Sequence, residues 1–410
     1  MNRNSSAIFL TALVVISLLY GYHRIIELPP YSIHQWRQTD GLSIALNYYK
    51  EGMNFFEPKM HFNYSEGGKG VGEFPIIYYI DALIWKITGQ SSFAARLVNL
   101  LLSFSGFIIL YKAIYKIINY RFPAIIIPLF IFSSPLIAFY SNNFLVNVPA
   151  LSLIFICWYF FVRYYMDKKL RYLALFAFFA TMSVLLRSTM FIGVVPVFIL
   201  FFLEKIGYFK KKIFVNDFRL EGLLLLTPCI FLFIWLLFIR NYNASSNSVY
   251  FLTTIRPVWE LGKEEILKTW HMFTGNIMFT IYNPGILFII GISIILMLLV
   301  ITKLNRYLVV FNISIFISLL LYMLLWYANL DVHDYYLIEL FLLIPPLYLS
   351  LVIFFKKYLT VIFNSWITKT LILLILIFSV GDSTVKVRLK YNLTDSFVSQ
   401  MLLSEREIDK

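Results

Sequence analysis

Long apolar runs separated by short polar segments make up most of this chain. A helix needs roughly 20 apolar residues to cross the ~30 Å hydrocarbon core of a bilayer. About eleven segments come close to that length, and the pattern therefore predicts an all-α polytopic membrane protein. The predicted spans lie near residues 7–23, 97–118, 122–140, 147–165, 171–187, 190–205, 221–239, 284–302, 307–326, 336–355 and 366–380.

One further apolar segment, residues 74–88, is short and contains Asp81 and Lys86. Short cytoplasmic loops are rich in Lys and Arg, so the basic clusters indicate whether this segment crosses the membrane. If it does not cross, every short basic cluster falls on one side. We therefore predict an interfacial helix lying along the outer leaflet. Residues 24–96 then become one large first external loop.

This topology places most of the polar residues other than the basic clusters on the external side. We predict one transmembrane domain for residues 1–380 and a short polar external tail for residues 381–410. The first apolar run lacks a small-residue cleavage site and is interpreted as a retained helix. The protein is expected in the cytoplasmic (inner) membrane among membrane lipids, with its chemistry on the external or periplasmic side.

Composition agrees with this interpretation, since 60% of the 410 residues are hydrophobic and only 14% are charged. The formal charge of +13 arises from basic clusters between apolar runs, where membrane orientation accounts for it. No basic face or zinc spacing accompanies the charge, which argues against nucleic-acid binding. Cys157 and Cys229 lie inside apolar runs and imply no disulfide framework. The histidines lack zinc-site spacing, so no cofactor is expected and a divalent metal is left open.

A polar run at residues 34–40 follows the first apolar segment. Asp40 stands there between Arg37 and a helix-like stretch, where the first span would emerge into water. Asp40 is therefore our candidate for the reacting group, acting as a general base. The alternative is that Asp40 caps the helix that follows it, since Asp is a preferred N-cap residue. One residue can do both.

Three arginines each lie at the outer end of a predicted span, namely Arg96, Arg187 and Arg240. Arginine matches phosphate oxygens bidentately, so this set predicts a pocket for a phosphorylated lipid. The alternative is that their side chains only snorkel to headgroups. At the same depth or in the same loop lie the candidate substrate contacts Arg37, Glu73, Asn147, His333 and Tyr336.

A series of motifs runs through the first loop, namely His34-x-Trp36-Arg37-Gln38-x-Asp40, Glu51-Gly52, Pro58, Gly72-Glu73-Phe74-Pro75, the Gly89 turn and Ala94-Ala95-Arg96-Leu97. These motifs resemble the bacterial branch of the protein mannosyltransferase and aminoarabinose-transferase group, a family-39-like part of the glycosyltransferase C superfamily. The resemblance implies multispanning enzymes that take a sugar from a polyprenyl-phosphate donor on the outer face and invert the anomeric centre.

By this resemblance Asp40 matches the essential acid of the family. Arg96 matches a residue that contacts the donor phosphate or holds the loop in place, and Arg187 matches another lipid-phosphate ligand. The transferred group would be a hexose or pentose, and the acceptor a glycan, lipid or protein hydroxyl. Many relatives carry Asp-Glu where this chain has Asp40-Gly41, so only one carboxylate is available locally.

Two other functions compete with sugar transfer. A lipid-linked oligosaccharide flippase or transporter would carry charged groups near the bilayer midplane and often shows inverted repeats. A polysaccharide polymerase would also use external arginines, but its main catalytic loop should come late in the chain. The densest motif here comes first, which favours the transferase.

Overall fold

The computed structural model describes residues 3–61, 65–248 and 255–393. Within these ranges the secondary structure is helical apart from one isolated antiparallel bridge between Lys59 and Lys69. The predicted all-α class is confirmed. The longer helices are Arg3–Tyr20, Gln35–Glu51, Ile76–Thr88, Ser92–Ile118, Arg121–Phe132, Asn147–Asp167, Leu170–Leu186, Val195–Lys205, Phe218–Ser245, Lys263–Met272, Pro284–Leu299, Arg306–Leu325, Ile344–Tyr358 and Trp366–Lys390, with short helices at Tyr22–Ile25, Pro135–Ser141, Met278–Ile281 and Thr360–Asn364.

The helices confirm a polytopic membrane protein but not eleven uninterrupted spans. In the described part of the chain, seven helices are long and apolar enough to cross a membrane, and two bent pairs raise the number to nine. Residues 121–141 bend by 76° and residues 263–299 by 90°. The other two predicted spans correspond to the shorter apolar helices Ser5–Tyr20 and Leu170–Leu186.

Each bend lies at a break where a new helix begins with proline. Pro135 and Pro284 occupy the first helical turn, where a missing N–H costs nothing. The residues before them, Ser134 and Asn283, accept hydrogen bonds from Ile137 N and Ile286 N. Capping of this kind satisfies the free amides of a helix start, so the breaks are stable features of the fold.

The centre of the bundle is the helix Asn147–Asp167, which packs against Ser92–Ile118 and Leu170–Leu186. A Cβ on Gly106 would lie 2.3 Å from Ser152 Cβ, so only glycine permits this close approach. Ser152 Oγ donates to the Ser103 carbonyl at 3.3 Å. Small residues let helices pack closely within a membrane.

The first loop, residues 24–96, contains the two helices that carry the candidate chemistry. Gln35–Glu51 packs on Ile76–Thr88, the segment predicted to be interfacial. That second helix buries Ile77, Tyr78 and Trp85 and leaves Ile87 exposed. An exposed apolar residue of this kind is compatible with a helix that lies in the membrane interface.

The loop is held to the end of Phe218–Ser245 by paired hydrogen bonds. Asn243 Oδ1 accepts from Val71 N at 3.0 Å, and Asn243 Nδ2 donates to Val71 O at 2.9 Å. Tyr242 Oη donates to Pro58 O at 2.9 Å. The loop is therefore anchored to the bundle before it presents its helices.

The basic clusters meet at the other ends of the helices. Lys356 Nζ donates to Ile118 O at 2.8 Å, and Lys168 Nζ donates to Ile213 O at 2.9 Å. Tyr307 Oη donates to Lys211 O. Residues of the basic clusters, which were predicted to share one side of the membrane, therefore contact neighbouring loops in the fold.

The last helix, Trp366–Lys390, continues past residue 381, where the polar tail was predicted to begin. Its final turns are packed, since Val387 and Tyr391 are fully buried. Arg388 Nε donates to Leu19 O at 2.9 Å and joins the two ends of the chain. The rest of the predicted tail, residues 394–410, lies outside the described residues.

Candidate active site

Asp40 lies in the second turn of the loop helix Gln35–Glu51. The residue before that helix is His34, in the left-handed conformation with φ 54°. Because the helix begins at Gln35, the alternative that Asp40 is an N-cap is wrong. Its side chain instead projects from the helix body, one turn after Arg37, where i and i+3 side chains are neighbours.

Arg37 pairs with Glu73 from a later part of the same loop. Arg37 Nη2 donates to Glu73 Oε2, and the two side chains are 16% and 15% exposed. The other carboxylate oxygen, Oε1, accepts from Tyr78 Oη at 2.5 Å. Burial is the largest influence and lowers the pKa of Arg37, but Glu73, Tyr78, Tyr335 and Asp40 together more than offset it, so the pKa lies above its usual value.

Gly41 lets Tyr78 reach this position. A Cβ on residue 41 would lie 2.7 Å from Tyr78 Cε1 and 2.9 Å from Tyr78 Oη. The tyrosine ring therefore fills the space that any side chain at position 41 would need. Within the first two turns of the helix Asp40 is the only acid, and the other carboxylate that acts on it comes from Glu73.

The position of Asp40 raises its pKa to about 6. Partial burial is the main cause, because it disfavours the charged form. Glu73 adds to the rise as a like charge, and Arg37 opposes it. A carboxylate with a pKa near neutrality is suited to accept a proton at physiological pH.

A second arginine–glutamate pair lies close to the first. Arg187 Nε donates to Glu339 Oε1, which also accepts from Thr189 Oγ1. Arg187 lies 5.0 Å from the ring centroid of Tyr336. The buried atoms Arg187 Nη2 and Glu339 Oε2 have no hydrogen-bond partner within the described residues.

Tyr335 joins the two pairs into one cluster. Its phenol interacts electrostatically with Arg37, Arg187 and Glu73. Its ring centroid lies 6.0 Å from the Arg187 guanidinium. The Tyr335 ring also lies 4.9 Å from the His34 ring, which directly precedes the helix that carries Asp40. Tyr335 therefore connects the start of that helix to the Arg187–Glu339 pair.

His34 and His333 form the third side of this region. His34 Nε2 lies 3.3 Å from Asp334 Oδ1, and the two histidine rings are 5.5 Å apart. His333 Nδ1 is buried and has no hydrogen-bond partner within the described part of the chain. Burial lowers the pKa of His333 to about 4, with a further contribution from the neighbouring His34.

Asp334 anchors this side to two other helices. It accepts from Tyr140 Oη at 2.5 Å and from Lys390 Nζ at 3.4 Å. Sequence reasoning did not choose His34, Tyr78, Tyr140, Asp334, Glu339 or Lys390 as site residues. The available signals were the position of His34 in the first motif and the presence of acids inside an apolar segment, which is costly without partners.

Arg96 has a structural position and is not placed to contact a donor phosphate. It is fully buried, and its guanidinium donates to Leu28 O at 2.8 Å, Pro29 O at 3.0 Å and Asn142 O at 2.5 Å. The Phe144 ring lies 4.2 Å from its guanidinium carbon. Of the two roles that the resemblance implied, these contacts correspond to holding the loop.

Of two further predicted site residues, Arg240 lies apart from the cluster and Asn147 supports it indirectly. Arg240 is exposed on Phe218–Ser245, and the structure does not bring it to the Arg37 and Arg187 pairs. Asn147 is buried, and its Nδ2 donates to Tyr335 O at 3.3 Å. Asn147 thus positions the backbone of the segment that carries Tyr335. Among the described residues, no group of three or more His, Cys, Asp or Glu could hold a metal ion.

Comparisons with known proteins agree with this architecture. Residues 73–235 match the family model described as dolichyl-phosphate-mannose-protein mannosyltransferase. The match includes Glu73, Arg96, Asn147 and Arg187 and begins after Asp40. No curated protein sequence matches the chain.

Two solved structures share the fold. ArnT from Cupriavidus metallidurans in the apo state matches with a TM-score of 0.50 at 8% identity, over 94% of this chain and 75% of that one. The apo oligosaccharyltransferase of Archaeoglobus fulgidus matches with a TM-score of 0.50 at 12% identity, over 93% of this chain. This chain spans 56% of the archaeal protein. The predicted resemblance to the protein mannosyltransferase group is confirmed by the family model, and the two structures show that the fold is shared.

Proposed function

We propose that this membrane protein, which resembles the GT-C glycosyltransferases, transfers a sugar from a polyprenyl-phosphate donor to an acceptor hydroxyl. The observation that carries the proposal is the location of Asp40 in one polar region with Arg37 and Arg187. The family match over residues 73–235 and the shared fold support the same class of reaction. The first loop and the span ends around it supply the groups that this reaction needs.

Asp40 acts as the general base. It takes the proton of the acceptor hydroxyl while the acceptor oxygen attacks the anomeric carbon. The bond from that carbon to the phosphate oxygen breaks, and the polyprenyl phosphate leaves with the bonding electrons. A single displacement of this kind inverts the anomeric centre. General base catalysis is worth roughly 10² to 10⁴ in rate.

Arg187 stabilises the leaving phosphate. Its Nη2 group is buried with no hydrogen-bond partner within the described residues, and Glu339 and Tyr336 hold the guanidinium in place. An oriented cation stabilises charge that develops on a leaving group in the transition state. Tyr336 and His333 line the same region and are candidates to hydrogen-bond the sugar or phosphate.

The reaction belongs on the external face of the cytoplasmic membrane. The basic clusters lie at the helix ends away from the first loop, and short basic loops are typical of the cytoplasmic side. A polyprenyl chain would remain in the lipid beside the apolar helices while its phosphate reaches the polar region. The hexose or pentose and the glycan, lipid or protein acceptor are for the experiment to identify.

The test supplies the purified full-length protein with a panel of radiolabelled polyprenyl-phosphate sugars and an envelope extract. The expected result is covalent label in one fraction of the extract with the wild-type protein and background label with Asp40→Asn. Arg240→Ala is the matched control for a cation outside the cluster. Transfer by Asp40→Asn at the wild-type rate would overturn the role of Asp40.

The same preparation in liposomes separates the transferase from the transporter. A transporter moves the lipid-linked sugar between leaflets and leaves its bond to phosphate intact. Recovery of the intact donor in the opposite leaflet, with no labelled acceptor from any donor in the panel, would overturn the proposed function.

A further inference from the structure

An open apolar groove lies between several helices, away from the candidate active site. Its volume is about 310 Å³, which is within the range of sites that hold small ligands. Most of its wall is aliphatic or aromatic, and the residues used in the argument here are Trp158, Val162, Tyr165, Ile213 and Tyr307.

The helix Asn147–Asp167 shows how far the groove lies from the candidate active site. At its start, Asn147 Nδ2 donates to Tyr335 O, and at its other end Lys168 is the C-cap. A helix of 21 residues is about 32 Å long at 1.5 Å per residue. Its groove-lining residues lie between positions 158 and 166, so the groove belongs to the opposite end of the bundle.

One edge of the groove is formed by a loop that carries three consecutive lysines. This lysine loop, residues 206–217, joins the helix Val195–Lys205 to the helix Phe218–Ser245. The lysines at positions 210–212 are exposed. The next residue, Ile213, lines the groove. The chain therefore brings three positive charges directly beside an apolar wall.

Side chains from three neighbouring elements hold the lysine loop in place. Glu204 accepts from Ile213 N and from Phe214 N, the second at 2.9 Å. Lys168 Nζ donates to Ile213 O at 2.9 Å, and Tyr307 Oη donates to the carbonyl of the middle lysine. The backbone of the loop is thus bound to the fold, while the lysine side chains remain exposed.

The acids beside the lysine loop are engaged within the protein. Glu221 accepts from Tyr164 Oη and from Asn216 N. Asp217 accepts from the first amides of the following helix and caps it. Glu204 is occupied by the two amides of the loop. Among the described residues, these nearest acids therefore serve the fold, and the charge of the lysines at 210–212 is available to an anion.

We propose that the groove binds an anionic phospholipid, with an acyl chain against its apolar wall and the phosphate at the lysine loop. Apolar cavities exclude water, so inside a bilayer the groove is filled by a lipid chain. Basic segments beside a membrane attract anionic headgroups, by about fivefold in affinity for each lysine. Ile206, Tyr208 and Val215 are exposed apolar residues of the same loop, as is typical of a segment in the membrane interface.

The test uses the full-length protein in phosphatidylcholine vesicles that contain a small fraction of brominated lipid. Bromine on an acyl chain quenches the fluorescence of a tryptophan that it contacts, and Trp158 lines the groove. The contribution of Trp158 is the difference between the wild-type protein and Trp158→Phe. We expect brominated phosphatidylglycerol to quench this contribution at about tenfold lower mole fraction than brominated phosphatidylcholine.

Two double variants remove the same charge from different basic clusters. Lys211→Gln with Lys212→Gln should reduce the preference for phosphatidylglycerol to about twofold. Lys303→Gln with Lys357→Gln is the matched control. Those two ammonium groups lie 5.9 Å and 4.8 Å from the Tyr358 ring centroid, and neither residue lines the groove. The control should keep the wild-type preference.

Val162→Phe tests the apolar wall separately from the charge. The larger side chain occupies space in the groove, so both brominated lipids should quench Trp158 less, although the lysine loop is unchanged. The number of phosphatidylglycerol molecules retained by the detergent-purified protein gives a second measurement. It should be lower in Val162→Phe than in the wild-type protein, and it decides the matter if Trp158→Phe does not fold.

Equal quenching by the two lipids would overturn the inference, as would equal loss of preference in the two double variants. Absence of Trp158 quenching by either lipid would mean that protein covers the groove. Displacement of brominated phosphatidylglycerol by polyprenyl phosphate, but not by unlabelled phosphatidylglycerol, would assign the groove to a polyprenyl lipid and contradict the proposal. None of these measurements needs a sugar donor, so they are independent of the proposed function.

Discussion

His34 Nε2 lies 3.3 Å from Asp334 Oδ1, and this contact joins the start of the loop helix to the segment that leads into Ile344–Tyr358. The same carboxylate accepts from Tyr140 and from Lys390. Four elements distant in sequence therefore meet at one buried acid. The candidate base lies on the helix that this contact holds in place, so the bundle itself orients the first loop.

Replacement of His34 should loosen the loop helix without removing the base. In His34→Ala, Asp334 keeps Tyr140 and Lys390 as partners, so we expect the protein to remain folded. Transfer should fall by about tenfold, because a small displacement of a reacting group is costly to rate. Activity assays and thermal unfolding of the purified variant check this. Wild-type turnover would show that the contact does not position Asp40.

Asp40→Asn should separate activity from stability. Loss of the base should lower kcat by about 10² or more, while binding of polyprenyl phosphate stays near the wild-type value. The raised pKa of Asp40 means that folding disfavours its charged form. The neutral variant should therefore unfold at a higher temperature at pH 7. The gain should shrink as the pH falls below about 6, where the wild-type carboxyl becomes protonated in the folded state, and it should disappear near 3.8, where the unfolded chain is protonated as well.

Substitution of Arg96 should lower the stability of the protein far more than substitution of Arg240. Arg96→Ala leaves buried carbonyls of Leu28, Pro29 and Asn142 without their donor, so we expect a loss of several kcal/mol in stability, about 1–3 for each unsatisfied group. Arg240→Ala should change unfolding by no more than about 0.5 kcal/mol, as is usual at exposed positions. Thermal and denaturant unfolding in detergent measure both. Equal effects would contradict the distinction between a buried and an exposed arginine.

Substitution of Arg187 by lysine should weaken donor binding while leaving the stability of the fold nearly unchanged. Arg187→Lys keeps a charge beside Glu339 but loses the planar fork that matches phosphate oxygens. We expect weaker binding of polyprenyl phosphate by about tenfold, which is about 1.4 kcal/mol, with little change in unfolding. Arg187→Ala would also leave Glu339 as a buried unpaired charge, at about 3–5 kcal/mol of stability. Unchanged affinity in Arg187→Lys would indicate that Arg187 serves only to neutralise Glu339.

Gly41→Ala tests the packing that brings Tyr78 to Glu73. The new methyl group would lie 2.7 Å from the Tyr78 ring, so the ring must move. We expect reduced transfer, as in Tyr78→Phe, because both substitutions disturb the hydrogen bond from Tyr78 to Glu73. Combination of the two substitutions should give little further loss, because both act on one contact and neighbouring sites are not additive. Fully additive losses would place the effect of Gly41 elsewhere.

The sequence alone was sufficient for the class of fold, and it made Asp40 the candidate base. Apolar runs predict spans because the bilayer sets their length, and basic clusters predict sides because orientation follows local charge. The prominence of Asp40 in a short polar motif is likewise local. These features depend on residues that are close together in the chain, and the structure places helices at every predicted span.

Only the tertiary structure decided which polar groups meet. Arg96 and Arg187 look alike in sequence, since both lie at span ends, but one is enclosed by backbone carbonyls and the other reaches the site. The pairing of Arg37 with Glu73, and of Arg187 with Glu339, joins segments far apart in the chain. Position along a span fixes the depth of a side chain but not its direction or its partners. Those follow from how helices pack, which no local pattern specifies.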